Sequence, residues 1–203
     1  MLVKNPSLNL IDGALLTNGI DEKITLFLND SIFSLFDVSI PNGYVSLFWD
    51  NHAAIPAFRF AFWTLLASLF LFSFDFINIE IPAMFLLVYC ILVRFVSPMF
   101  TGGVPREGDM VLALLSSGII FSSIFLIYWP GTVPFSVMGK ILYGALGGIF
   151  AFIFCGTGTS PFGAVATVLF MNIISPALQA FETKSLRKRL SSLLALELGE
   201  AEK

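Results

Sequence analysis

From Met110 to Phe181 the chain is almost uniformly apolar, with Lys140 the single charged side chain and a polar, glycine-rich break from Gly156 to Pro161. A helix needs about 20 mostly apolar residues to cross the hydrocarbon layer. The pattern therefore predicts three membrane spans there, at residues 110–129, 138–155 and 161–181. Two more fit upstream. Residues 54–74 carry only Arg59, near the start, where a long side chain can snorkel to the interface, and residues 77–97 hold Glu80 and Arg94 near their ends. The turn around Asp75 is only a few residues long, which makes the first two spans antiparallel neighbours. The expected fold class is all-α integral membrane, with five transmembrane helices.

Residues 24–50 break the pattern. Asp30, Asp37, Pro41 and Gly43 leave no uninterrupted apolar run, yet Phe27, Phe33, Phe36, Tyr44, Phe48 and Trp49 are too apolar for a solvated loop. Two readings fit. One is a short interfacial or re-entrant segment whose broken backbone is buried in protein, because lipid would leave its polar groups unpaired; the other is an amphipathic surface helix. Past residue 181 the pattern changes again. Leu186, Leu190, Leu193 and Leu194 recur at helical spacing, with Glu197, Glu200 and Glu202 after them, which predicts a short amphipathic helix in the tail 182–203. The organisation expected is an outer-face loop and interfacial or re-entrant segment over 1–53, a five-helix domain over 54–181 and a cytoplasmic tail.

Orientation follows from Lys and Arg. Lys184, Arg187, Lys188 and Arg189 form the densest basic cluster, and Lys140, two spans earlier, falls on the same side, which the positive-inside rule makes cytoplasmic. Arg94 and Arg106 then lie outside, against the rule, although Glu107 and Asp109 share their loop. The basic cluster suits anionic lipid beside the membrane. Composition agrees with a lipid solvent: 57% of the 203 residues are hydrophobic and 12% charged, and the mean hydropathy is +0.88, where soluble domains hold about 25% charged residues. A net charge of −3, with the acids scattered or gathered near the C-terminal end, argues against a nucleic-acid partner. The first residues hold no signal-peptide core, so insertion is expected to be driven by the helices themselves.

Little soluble-enzyme chemistry is legible. His52 sits beside Asp50 and Asn51 and reads as a solvated residue. Cys90 and Cys155 lie in apolar runs without CxxC spacing and read as buried thiols. No metal-binding or phosphate-binding motif occurs, so no catalytic residue and no metal ligand is nominated. Small and polar residues inside the spans are more informative. Ser116, Ser117, Gly118, Ser122 and Ser123 cluster in the third span, and Gly144 with Gly148 makes a GxxxG in the fourth. Small residues let helices approach closely; they also leave room for a flat cofactor or a pore. The interruptions Trp129–Pro134 and Gly156–Gly163 fit either simple turns or the unwound backbone found at transporter binding sites. Asn172 and Ser175-Pro176 are polar and kink-forming in an otherwise apolar helix, and Asn172 is expected to face the bundle interior.

These residues carry a resemblance. The stretches Leu114-Leu-Ser-Ser-Gly118, Trp129-Pro-Gly-Thr-Val-Pro134, Gly139-Lys-Ile-Leu-Tyr-Gly-Ala-Leu-Gly-Gly148, Pro161-Phe-Gly163 and Leu169-Phe-Met-Asn-Ile-Ile-Ser-Pro176 resemble, in order, the C-terminal half of the RnfD/NqrB family. Its members are membrane subunits of the ion-translocating ferredoxin:NAD oxidoreductase (Rnf) and of the sodium-translocating NADH:quinone reductase. The resemblance implies a ten-helix subunit of two five-helix halves, with FMN attached through its phosphate to a threonine in the loop between them. Leu8 to Gly19 occupy the place of that loop, and the family's Ser-Gly-Ala-Thr reads here Asp12-Gly13-Ala14-Leu15. Leu15 thus stands where the flavin-bearing threonine belongs, and Thr17, out of register, is the candidate for covalent FMN. Trp129 stands where the family has Asp before the loop proline, and Phe162 where it has Glu between Pro and Gly.

The function the resemblance implies is that of a subunit in an Rnf-like translocase, where flavin-mediated electron transport involving ferredoxin and NAD, or quinone, is coupled to Na+ or H+ transport across the inner membrane. The expected partners are other membrane subunits, including a separate N-terminal half. Half of a solute transporter or channel, and a structural subunit without cofactor, are the alternatives.

Overall fold

The computed structural model describes residues 19–31, 34, 42–51, 53, 55–101, 108–128, 131–155 and 161–201. Among these residues all regular structure is helical, as the apolar runs require. Two short helices come first, α1 (Gly19–Ser31) and α2 (Tyr44–Trp49), then a 3₁₀ turn over Pro56–Phe58. The apolar helices follow: α3 (Ala61–Ser73), α4 (Glu80–Phe95), the short α5 (Ser97–Thr101), α6 (Met110–Ser117), α7 (Ile119–Phe121) with one π-helical turn over Ser122–Leu126, α8 (Val137–Cys155) and α9 (Pro161–Ala201).

Helical segments thus lie at all five places where spans are expected, but they are unequal. Among the described residues, Val137–Cys155 and Phe162–Ser192 are the two helices long and apolar enough to cross a membrane on their own, whereas Ala61–Ser73 is apolar but shorter. The first span starts later than residue 54 because Pro56–Phe58 is a 3₁₀ turn and the α-helix begins at Ala61. Just before it, the Arg59 guanidinium makes a two-pronged ion pair with Asp50, both bonds at 2.6 Å. The third span is not one helix: Gly118 takes φ 71° and ψ 10°, a left-handed conformation that ends α6. The tail helix is a direct continuation of the last span and not a separate element, since α9 runs unbroken for 41 residues. At 1.5 Å per residue that is about 60 Å, roughly twice the hydrocarbon thickness.

The core is organised around α8. A Cβ added to Gly144 would fall 2.6 Å from the Ile81 carbonyl oxygen, and one on Gly148 would fall 2.6 Å from that of Phe85. Both contacts advance together along α4 and α8, so the two helices run parallel. α9 returns antiparallel: Gly163 meets Phe154 and Cys155 at one end, Phe170 packs edge-on against Phe150 in the middle, and Glu182 lies near Gly139 at the other. Ile81, Phe85, Tyr89, Ile127, Tyr143, Ala151 and Met171 fill the shared interior. Large apolar side chains such as Leu69, Phe70, Phe100 and Ile173 cover the outside, an arrangement suited to hydrocarbon and not to water.

Candidate functional site

The short helices at the start of the chain are pinned to the broken third span through buried polar groups. On α1, Asp21 is 3% exposed, and its carboxylate accepts hydrogen bonds from the Gly43 N–H at 2.6 Å and the Ser46 N–H at 2.7 Å, with the Ser46 hydroxyl at 3.0 Å. These donors are the orphan groups at the start of α2, so Asp21 acts as a helix cap supplied from another element. One residue on, the Tyr44 hydroxyl donates to the Asp109 carboxylate. Asp109 is itself the N-cap of α6 and accepts from the Leu112 N–H at 3.0 Å. Burial, then the hydrogen bond and charge of Asp109, raise the Tyr44 hydroxyl well above the ordinary phenol range, so it remains a donor.

Asn51 completes the attachment. Its side-chain amide donates to the Phe58 carbonyl at 3.0 Å and to the Leu115 carbonyl at 2.5 Å, while its own oxygen accepts from the Ala53 N–H at 3.0 Å. The Leu115 carbonyl needs an outside partner because the helix turns left-handed at Gly118 and α6 ends there. The same turn is backed by the Phe58 ring, which occupies the space a Cβ on Gly118 would enter. A broken backbone at this point is therefore buried in protein and satisfied by it, the condition lipid imposes on any non-helical stretch.

Around the break lie four buried hydroxyls. Ser116 donates to Leu112 at 2.7 Å, Ser117 to Ala113 at 2.5 Å, Ser122 to Gly118 at 3.1 Å and Ser123 to Ile120 at 3.0 Å, all onto carbonyls of the same span. Each donor is used, and the Ser117 oxygen also accepts from the Ile119 N–H at 3.4 Å. The arrangement is an apolar bundle with one discontinuous helix, a short helix packed beside it and a cluster of hydroxyls bonded to backbone carbonyls of the same segment.

A second set of polar contacts fixes the loop after the third span. From α9, Ser175 donates to the Thr132 carbonyl, Gln179 donates to the carbonyls of Gly131 at 3.2 Å and Val133 at 3.3 Å, and Glu182 accepts from the N–H groups of Phe135 at 2.9 Å and Ser136 at 2.5 Å. The spacing 175, 179, 182 places all three on one helical face. This loop is a strapped turn, with three of its carbonyls and two of its N–H groups bonded to α9. Glu182 is held below the ordinary carboxylate value: burial pushes it up, but the Ser136 hydroxyl, the two N–H groups and the nearby Lys140 charge outweigh that.

The remaining expectations divide. The serine cluster, Gly118 and the segment ending at Trp49 do come together, whereas the GxxxG of α8 is filled by the backbone of α4, leaving that groove no room for a flat cofactor. Asn172 is half-buried; its side-chain oxygen is buried without a partner among the described residues, and Pro176, four residues on, withholds the N–H that would take its main-chain carbonyl. Cys155 is buried and Cys90 only partly so, both free thiols. Leu15, Thr17, His52, Trp129 and the loop 156–160 lie outside the described residues. Asp21 and Asn51 carry the site, and nothing in the pattern of apolar and polar positions singles either of them out.

A family model described as the NQR2, RnfD, RnfE family matches residues 12–187, most of the chain. No curated protein matches it.

Proposed function

The chain belongs to the NQR2, RnfD, RnfE family, an Rnf/Nqr-type membrane subunit, and on that footing we propose that it works within an Rnf-like complex that couples flavin-mediated electron transfer to Na+ or H+ movement. The observation that carries the reading is the family match over residues 12–187. The discontinuous third span supports it, since carbonyls and hydroxyls at a helix break suit passage of a small cation. In this reading the chain crosses the inner membrane five times with its C-terminus in the cytoplasm. It packs against other membrane subunits, including a second set of helices from a separate N-terminal half.

The chain's own contribution is to hold helices around the ion path and to exclude water; FMN, where bound, supplies the electron chemistry. Thr17 is the residue proposed to hold FMN covalently. A fluorescent band that survives SDS electrophoresis and disappears in Thr17→Ala supports attachment there. Loss of ferredoxin- or NADH-dependent flavin reduction in membranes when the chain is deleted, with its recovery in the purified complex, tests the function. A complex that purifies without this chain and retains full coupled activity overturns it.

The helix break and inserted segment also suit half of a solute transporter. Substrate flux in vesicles holding this chain alone favours that second reading.

A further inference from the structure

We propose that the end of the bundle where α9 leaves the membrane is a binding site for the headgroup of an anionic phospholipid. The level of the boundary is set by Glu182, whose carboxylate ties α9 to the Phe135 and Ser136 N–H groups just before α8 begins. Around that tie stand exposed apolar side chains: Phe135 and Met138 at 76% and Phe181 at 73%. In a soluble protein such a collar is a liability; beside lipid it is the contact for acyl chains.

Directly beyond the collar come Lys184, Arg187 and Lys188, all exposed and without an ion-pair partner among the described residues. Phe181, Lys184 and Lys188 are spaced i, i+3 and i+7, so one face of α9 passes from acyl-chain contact to ammonium groups within two turns. Glu182 is engaged by the loop, the next carboxylate in the sequence is Glu197, and Asp75 and Glu80, the acids at the start of α4 on this end of the bundle, make no ion pair with these cations among the described residues. An apolar collar topped by uncompensated cations matches a lipid with a net negative headgroup. A zwitterionic lipid meets the collar equally well but gains nothing from the charges.

The test uses the full chain, purified in detergent and delipidated, with phosphatidylglycerol and phosphatidylcholine as probes and native mass spectrometry as readout. Each juxtamembrane cation contributes about a fivefold preference, so three give a preference for phosphatidylglycerol on the order of a hundredfold at low salt. The variant K184Q/R187Q/K188Q is expected to bind both lipids alike while keeping its helical circular dichroism. Should that variant fail to fold, the wild-type preference must still shrink as salt rises from about 0.01 M to 1 M, where the screening length falls about tenfold. Equal affinity of the wild type for both lipids, or an undiminished preference in the folded variant, overturns the site and leaves the cations to solvent or to an acidic protein surface.

Discussion

The side-chain amide of Asn51 donates to the carbonyl oxygen of Leu115 at 2.5 Å, joining positions 64 residues apart. That one bond connects the segment before the first long apolar helix to the carbonyl exposed by the break in the third. Replacing Asn51 with Leu keeps the branched shape and strands the carbonyls of Leu115 and Phe58, each at about 1–3 kcal/mol. The melting temperature of the detergent-solubilised protein should fall markedly. Asn51→Asp should do no better, because a carboxylate cannot donate to either carbonyl. An unchanged melting temperature in Asn51→Leu would mean that water satisfies both carbonyls.

Gly118 should tolerate no side chain. The left-handed φ of 71° disfavours a Cβ by about 1–2 kcal/mol, and overlap with the Phe58 ring adds about 1–3 kcal/mol. The two contributions separate in a double-mutant cycle. Gly118→Ala combined with Phe58→Ala should destabilise by less than the sum of the single changes, because the second change removes the ring atoms 2.3 and 2.4 Å from the new methyl and leaves only the Cβ at 2.7 Å. Strict additivity would show that Phe58 yields freely and that only the backbone resists.

How much of this could be read from sequence depends on the range of the interaction. The fourth helix, expected over 138–155, is found at Val137–Cys155, since glycine and proline punctuation brackets a plain apolar run. The segment before residue 50 and the serine cluster were each visible as departures from that pattern. Their union was not, because it depends on Asn51, which reads as one more polar residue between Asp50 and His52. The break was hidden for a related reason: Leu-Leu-Ser-Ser-Gly-Ile-Ile scores as continuous apolar and small sequence, and hydropathy carries no sign of φ. The tail helix was expected to stand alone because its composition changes at residue 181, but composition sets which solvent a helix meets and not where the hydrogen-bond ladder stops.

The glycines of α8 should rank by what faces them. At Gly144 and Gly148 an added methyl meets main-chain oxygens of Ile81 and Phe85, which cannot move without shifting α4. At Gly147 it meets the Phe85 ring and the end of Ile127, which can rotate. Alanine at 144 or 148 should therefore destabilise by about 1–3 kcal/mol or more, and alanine at 147 by less. Denaturation midpoints for the three variants decide the order. If 147 proves the most sensitive, the helices can part more easily than the core side chains can repack.

Glu182 makes the strapped loop pH-dependent. Its folded pKa lies below the ordinary value of 4.5, so its contribution is fully present above that value and is lost as pH falls through the lower folded one. Above pH 5 the amides of Phe135 and Ser136 should be protected from hydrogen exchange, after correction for intrinsic rates, and on acidification below the ordinary carboxylate value of 4.5 that protection should fade. Glu182→Gln replaces a charged acceptor by a weaker neutral one, so protection should be lower at neutral pH and insensitive to acid. The contacts of Ser175 and Gln179 with the carbonyls of 131–133 do not titrate, so the first half of the loop should stay docked on α9 as pH falls, read by isotope-edited infrared of those carbonyls because amide exchange does not report them. Loss of both halves together on acidification would make the loop a single cooperative unit hung on Glu182 alone.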